Sequence, residues 1–219
     1  MIKTSFQLYQ SLLIFIGIAI WVIIASAAIE YFRWHLKFSA GLLIHSGIIV
    51  ISIASVATII KSRNFSAILN AISFNKTAWR YYLIAIVLAL VIWVADFWLQ
   101  LFFFLDNGKK DGLSLQTEIN HFGLLSIVIA SCLLAPIAEE ILFRGILLKG
   151  LLEKLTPFTA IIISALLFAA VHFSHQDFIS LFVAAFIYAF LTIKAQSILP
   201  AILAHLINNG VTIYYLITL

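Results

Sequence analysis

Two adjacent glutamates and an arginine, Glu139, Glu140 and Arg144, lie in the apolar stretch CLLAPIAEEILFRGILL. On insertion scales, an ionised side chain at the centre of a membrane helix costs about 2.5 to 3.5 kcal/mol, so such residues are rare unless function or pairing requires them. The three charges therefore mark a candidate functional site.

The spacing of these charges gives the two carboxylates different partners. Side chains four residues apart share one face of a helix, so Glu140 and Arg144 are predicted to form an ion pair. Glu139 points about 100° away, on the side of Phe143, and is left without a cation. A free carboxylate in an apolar site is the better candidate for a general base. The alternative is a buried charge cluster that only fixes helix packing.

A histidine further along the chain is predicted to face the free glutamate. Thr156 and Pro157 predict a turn between two antiparallel helices. Glu139 and His172 each lie about 16 residues from this turn, or about 25 Å along their helices, so the two side chains can meet. A lone histidine on an apolar helix face is usually a packing residue, but the matched depth to Glu139 favours a functional role for His172.

The last apolar run carries a second histidine, His205, with Asn209 four residues later on the same helix face. Two aligned hydrogen-bond donors in a dry cavity can stabilise the oxyanion that forms when a carbonyl group is attacked. The alternative is ordinary hydrogen bonding between helices, and Asn208 is an alternative partner of His205.

The elements that position these residues are predicted to be membrane helices. Of 219 residues, 64% are hydrophobic and 10% are charged, against about 25% charged in an ordinary soluble domain. The mean hydropathy is +1.15. Runs able to cross about 30 Å of hydrocarbon occur at 8–29, 39–60, 81–105, 122–152, 157–173, 178–193 and 198–218. The sequence therefore predicts an all-α, polytopic transmembrane helix bundle of about seven membrane helices, with the active site within the bundle.

Lysine and arginine are unevenly distributed between the predicted connections. With the N-terminus inside, eight of them, including Lys149, lie on the cytoplasmic side and four on the other side. This bias predicts a cytoplasmic N-terminus. The basic residues form no stripe, so the net charge of +4 does not indicate nucleic-acid binding.

The first 105 residues contain fewer polar side chains within their apolar runs. His45 and its neighbouring serines are interpreted as packing residues. Asp96 either lines a cavity or lies in an interfacial belt of aromatic residues. Residues 61–80 predict a short helix on the inner membrane surface, and residues 106–121 predict an exterior loop.

Three motifs occur in order along the second half of the chain: EEILFR from Glu139 to Arg144, FAAVH from Phe168 to His172, and HLINN from His205 to Asn209. Together they resemble the three motifs of the CAAX-protease and bacteriocin-processing (CPBP, or Abi) family of intramembrane endopeptidases. The resemblance covers roughly residues 120–213. Members of the family often have glycines where this chain has Ala185 and Ala189.

The resemblance implies an intramembrane protease and gives roles to seven residues. These are Glu139 and His172 as activators of water, His205 and Asn209 as oxyanion stabilisers, and Glu140, Arg144 and Phe168 as the residues that hold the site together. On this basis we divide the chain into two parts. Residues 1–120 form N-terminal transmembrane helices and connecting loops that act as a scaffold, and residues 121–219 form a CPBP-like catalytic helix core.

The sequence leaves the use of a metal open. Glu139, His172 and His205 could supply the three protein ligands that a catalytic zinc usually takes. The chain has no His-Glu-x-x-His motif, and a glutamate and a histidine can activate water directly. We therefore favour a site that requires no cofactor, with zinc as the alternative.

Two other functions are compatible with the sequence. A non-catalytic immunity or scaffold protein that binds a peptide would tolerate Glu139→Gln, whereas a transporter would use the buried charges as a relay. Transport is disfavoured because the chain has no matching pair of Gly/Pro-broken helices. For a protease, the expected partners are the lipid bilayer and a peptide or lipidated protein substrate, with no nucleic acid. The short chain resembles bacterial members, which predicts a bacterial cytoplasmic membrane.

Overall fold

The computed structural model describes residues 7–32, 40–103 and 107–218, and every regular element within these ranges is a helix. The nine helices of the described residues are α1 Leu8–Phe32, α2 Ala40–Ile59, α3 Phe65–Ala71, α4 Trp79–Phe103, α5 Asn107–Phe122, α6 Leu124–Lys154, α7 Pro157–Ala170, α8 Phe178–Ala195 and α9 Leu199–Thr218. The predicted all-α, polytopic bundle is confirmed.

Six of these helices, α1, α2, α4, α6, α8 and α9, are long and apolar enough to cross a membrane. Helix α7 has 14 residues and is about 21 Å long, which is shorter than the hydrocarbon core of a bilayer. Its apolar run extends to residue 173, but the helix ends at Ala170. His172 follows in a turn, where its Nδ1 binds the carbonyl of Phe168, one of the carbonyls left free at a helix end.

Helix α6 carries the first motif and is not a regular α-helix. It is π-helical over Ile129–Leu134 and again over Ile141–Leu147, on either side of an α-helical stretch at Ala135–Glu140. Pro136 follows the first π-helical stretch, and its missing N–H interrupts the regular hydrogen bonding there. Single π-helical turns inside α-helices are frequent at functional sites.

The predicted short helix after α2 is present as α3, but it packs into the protein. The side chain of Asn64 caps its first turn, whereas Ile68 and Ile72 are buried in the core. Ile72 packs against α6 at Gly145, where an added Cβ would lie 3.1 Å from both the Cβ and the carbonyl oxygen of Ile72. This helix is therefore part of the bundle that supports α6.

The prediction of an exterior loop over residues 106–121 is wrong. This segment forms α5, and its half-buried residues Leu115, Ile119 and Phe122 recur at helical spacing. The helix packs against α9. The Gly, Asp and Asn residues of the segment favour turns, but the apolar stripe has tertiary contacts that outweigh these local preferences.

Two apolar clusters hold the bundle together. In the larger cluster, Ile18, Ile48 and Ile72 from the first half pack with Ile146 and Phe168 from the second half. The smaller cluster joins α4, α8 and α9 largely through alanines, whose small side chains allow membrane helices to approach closely. The alanines at positions 185 and 189 are themselves fully buried, so α8 packs closely without the glycines common in the family.

The segment between α3 and α4 braces the start of α9. Ser73 accepts a hydrogen bond from the backbone N–H of Ile198 at 3.0 Å, and Thr77 Oγ1 donates to the carbonyl of Ala195 at 2.7 Å. Residues 73–77 thereby fix the turn that precedes the helix of the third motif. We call them the 73–77 brace.

Lys149 also connects the two parts of the chain. Its side chain is buried, and Nζ donates to the carbonyl of Ala71 at the end of α3 at 2.6 Å. The sequence analysis counted Lys149 among the eight basic residues on the cytoplasmic side. Because Lys149 is buried, it does not belong in that count. The division into scaffold and catalytic core stays a prediction about function.

Candidate active site

The predicted ion pair between Glu140 and Arg144 is present and fully buried. Arg144 Nε lies 3.1 Å from Glu140 Oε2, and both side chains are 0% exposed. Arg144 Nη2 also donates to the carbonyl of Ala185 at 3.2 Å, and the guanidinium lies over the ring of Phe168 at 4.7 Å. A buried cation requires such partners. Arg144 therefore links α6 to α7 and α8.

Glu140 binds His205 as well. Glu140 Oε1 lies 3.0 Å from His205 Nδ1, and the ring of Tyr188 stacks on the imidazole at a centroid distance of 5.2 Å. A carboxylate oxygen accepts hydrogen bonds, so we assign a proton to Nδ1 of His205. His205 Nε2 then faces Glu139, at 3.8 Å from its Oε2. His205 thus lies between the two glutamates.

The predicted meeting of Glu139 and His172 also occurs. Glu139 Oε2 lies 4.0 Å from His172 Nε2 and has no hydrogen-bond partner among the described residues. The Glu139 side chain is 18% exposed and that of His172 is 31% exposed. His172 Nδ1 donates to the Phe168 carbonyl at 2.7 Å, which leaves Nε2 as an acceptor in the neutral ring. Two proton acceptors therefore face each other on side chains that are only partly buried.

Asn209 is the fourth residue of the predicted constellation. Its Nδ2 donates to the carbonyl of Ser131, in the first π-helical stretch of α6, at 2.9 Å. The amide has two N–H bonds, so one remains for another acceptor. The side-chain oxygen of Asn208 is buried and has no hydrogen-bond partner in the described part of the chain. Both asparagines line the same cavity.

This cavity has a volume of about 600 Å³ and extends from the site between α4, α8 and α9. Its lining includes His172 and Asn209 from the site and Asp96 from α4. Of the two locations that the sequence left open for Asp96, the structure places it at a cavity.

The sequence analysis missed four contributors to the site. Tyr188, the carbonyl of Ala185 and the carbonyl of Ser131 contact the predicted residues directly, as described above. His45 of α2 lies close enough to Glu139 and His172 to interact with them electrostatically. Backbone carbonyls carry no sequence signal, whereas Tyr188 and His45 are polar residues in apolar helices.

The candidate zinc ligands are spaced more widely in this structure than the ligand atoms of a bound zinc. In the described residues, no group of three His, Cys, Asp or Glu side chains has the spacing of metal ligands. Bonds of about 2.0 to 2.1 Å would place the ligand atoms of a tetrahedral zinc about 3.4 Å apart. Glu139 Oε2 lies farther than this from both His205 Nε2, at 3.8 Å, and His172 Nε2, at 4.0 Å.

The chain is similar to a known family model and to one curated protein. Residues 121–211 match the family model described as "Rce1-like: Type II CAAX prenyl endopeptidase Rce1-like". Over 83 residues the chain is 36% identical to the protein named "Putative membrane peptidase YdiL" of Bacillus subtilis (strain 168). This match covers 38% of the chain and 34% of that protein, about a third of the relative's length. No solved structure matches the chain.

The matched residues 121–211 include all three motifs and every residue predicted for the site. The remaining described residues contribute three of the six helices that could cross a membrane. The chain is therefore an integral membrane protein whose residues 121–211 are similar to the Rce1-like CAAX prenyl endopeptidase family model, and part of which is similar to a protein named as a membrane peptidase.

Proposed function

We propose that the chain is an intramembrane endopeptidase that hydrolyses a peptide bond of a small membrane-associated or lipid-modified peptide or protein. One observation carries this proposal. Glu139 Oε2 lies 4.0 Å from His172 Nε2 and 3.8 Å from His205 Nε2, beside a cavity large enough for part of a peptide.

The spacing of Glu139 and His172 suits one water molecule. Their 4.0 Å separation is too long for a direct hydrogen bond, but a water that binds both groups spans such a gap. The water would donate one hydrogen bond to Glu139 and one to His172 Nε2, with a lone pair left to attack a carbonyl carbon. The proton taken by these bases passes to the amine as the C–N bond breaks.

Asn209 and His205 would bind the oxyanion of the tetrahedral intermediate. Asn209 has an N–H that its bond to Ser131 does not use. His205 can donate from Nε2 only when its ring is protonated, because its Nδ1 proton is directed at Glu140. Glu140 is an anion and supports this imidazolium. Glu140, Arg144 and Phe168 are therefore positioning residues, which act through His205.

This mechanism uses no metal, so we expect activity in detergent to be insensitive to EDTA and 1,10-phenanthroline. Loss of activity on chelation, with recovery on addition of zinc, would contradict it.

The proposed location is a bacterial cytoplasmic membrane with the N-terminus in the cytoplasm. The bacterial source of the similar peptidase supports a bacterial membrane, and the cytoplasmic N-terminus rests on the lysine and arginine count made for seven predicted helices.

The proposed activity can be tested without knowledge of the substrate. Wild type, Glu139→Gln and Glu118→Gln would be expressed at matched membrane levels in source cells that lack the native copy. Membrane and secreted peptides would then be compared by mass spectrometry. Glu118 is an exposed residue of α5 and serves as the control carboxylate. Defined fragments are expected with wild type and Glu118→Gln, but not with Glu139→Gln.

If the peptide profiles coincide while all three proteins rescue the same phenotype, the peptidase proposal fails. A non-catalytic immunity or scaffold role then replaces it.

A further inference from the structure

The cavity beside the site is lined by buried polar atoms that lack a close hydrogen bond. Asp96 Oδ1 of α4 and Asn208 Oδ1 of α9 are buried, and neither has a hydrogen-bond partner among the described residues. Both residues line the cavity. Ser180 Oγ on the same lining also lacks a close partner, and Ser180 and Gln100 lie near enough to interact with the Asp96 carboxyl group. Buried polar atoms are normally hydrogen-bonded, so these open positions on two helices suit a polar group that enters the cavity.

A second carboxylate of the cavity lining is held in place. Gln100 Nε2 donates to Asp177 Oδ1 at 2.8 Å, and Ser174 Oγ donates to Asp177 Oδ2 at 2.7 Å. The described lining contains these two aspartates and no lysine or arginine. A cavity lined by two carboxyl groups and by no lysine or arginine therefore adjoins His172 and Asn209.

We propose that this cavity is a substrate subsite for an amine or guanidinium group, carried by a residue close to the cleaved bond. The inference rests on the proposed function, because it takes His172 and Asn209 as the reacting end of the cavity. Asp96 and Asn208 are the specificity-determining acceptors. Hydrogen bonds between a cation and a carboxylate are about twice as strong as neutral ones, which favours lysine or arginine over a neutral residue.

The rest of the lining suits the stem of such a side chain. Ile92, Leu181 and Ala184 present apolar surface, on which the methylene groups of a lysine or arginine can pack. The volume of about 600 Å³ falls within the range of about 300 to 1,000 Å³ that is typical of small-molecule sites.

The test uses the full chain in detergent and a fluorescent apolar decapeptide with one lysine, placed in turn at each position. Matched peptides carry Nε-acetyl-lysine or glutamate at the same position. Binding is measured on Glu139→Gln, which is expected not to cleave, and cleavage is measured on wild type. At the favoured position, we expect the lysine peptide to bind at least about tenfold more tightly than the acetyl-lysine peptide, or about 1.4 kcal/mol.

Asp96→Asn is introduced into the Glu139→Gln variant. It keeps the shape of the side chain and should abolish the preference for the lysine peptide over the acetyl-lysine peptide. Glu118→Gln in the same background removes a carboxylate outside the cavity and should leave the preference intact. Asn208→Ala provides a second variant if Asp96→Asn does not reach the membrane, and it should weaken the preference.

Equal binding of the three peptides at every position would overturn the subsite. A lysine preference that survives both Asp96→Asn and Asn208→Ala would do the same. If wild type binds the lysine peptide selectively but cleaves none of the peptides, the subsite stands and the proposed peptidase function is contradicted.

Discussion

On one side of the site the charges are buried and paired, whereas the groups proposed to react lie on the other side, where His172 and Asn209 line a cavity. The buried side consists of Glu140, Arg144 and Tyr188. The cavity side consists of Glu139, His172 and Asn209, and His205 lies between the two sides. The side chain of Glu140 is 0% exposed and contacts both a cation and an imidazole. The side chain of Glu139 is 18% exposed, and its Oε2 has no hydrogen-bond partner among the described residues.

Glu139 and Glu140 are neighbours in the chain but lie on different faces of α6, so their side chains have different partners. A buried carboxylate with an ion pair to an arginine and a contact to an imidazole can hold that imidazole in one orientation. A carboxylate without a cation beside it can accept a proton from a bound water. The contrast assigns positioning to Glu140 and Arg144 and chemistry to Glu139, His172 and Asn209, with His205 between the two sides, and it makes the two sides separable by mutation.

The largest expected effect on stability is at the buried side. Glu140→Gln leaves Arg144 buried without its anion and should lower the free energy of unfolding by about 4 kcal/mol. Glu139→Gln removes no ion pair to a lysine or arginine and should change it by less than about 1 kcal/mol. Unfolding of the two variants in the same detergent measures the difference. Equal stabilities would remove the distinction between the two sides.

On the cavity side, a smaller effect is expected on kcat, and it should differ between the neighbouring residues Asn208 and Asn209. Asn209→Ala removes a proposed oxyanion donor and should lower kcat about 10²-fold, or about 2.7 kcal/mol, for every peptide that is cleaved. Asn208→Ala should leave kcat for peptides without a cation within about threefold. Steady-state kinetics on an acetyl-lysine peptide compares them. A larger loss for Asn208→Ala would exchange the roles of the two residues.

The residues of the buried side could largely be predicted from the sequence. The spacing of Glu140 and Arg144 is enough to predict their ion pair, because both lie on one helix. The meeting of Glu139 with His172 was predictable as well, since the turn at Thr156 and Pro157 sets the register of the hairpin. These contacts depend on local geometry.

Contacts between elements distant in the chain could not be predicted in the same way. The position of His205 between the two glutamates depends on the packing of α9 against α6, which no local spacing encodes. Helix α5 was missed because its turn-forming residues obscured an apolar stripe. The cavity beside Asp96 exists only once α4, α8 and α9 are assembled.

The stability of the buried side should also depend on the contact between Ile72, at the end of α3, and Gly145 of α6. Gly145→Ala places a Cβ 3.1 Å from the Cβ and carbonyl oxygen of Ile72, so one helix must move. We expect a loss of about 2 kcal/mol in the free energy of unfolding, as for other overpacked cores. Gly17→Ala on α1 has no atom within 4 Å of its new Cβ and is the matched control. Equal stability of the two variants would show that α3 does not constrain α6.

The smallest expected effect concerns the 73–77 brace, which lies at the base of α9 and away from the cavity. Thr77→Val removes the hydrogen bond from Oγ1 to the carbonyl of Ala195 and should cost about 1 kcal/mol of stability. Thr58→Val removes a bond to Ala54 within one helix and serves as the control. If the brace also positions His205, Thr77→Val should lower kcat with little change in KM, whereas Thr58→Val should change neither. A Thr77→Val variant with full kcat and reduced stability would limit the brace to a structural role and leave the orientation of His205 to Glu140 and Tyr188 alone.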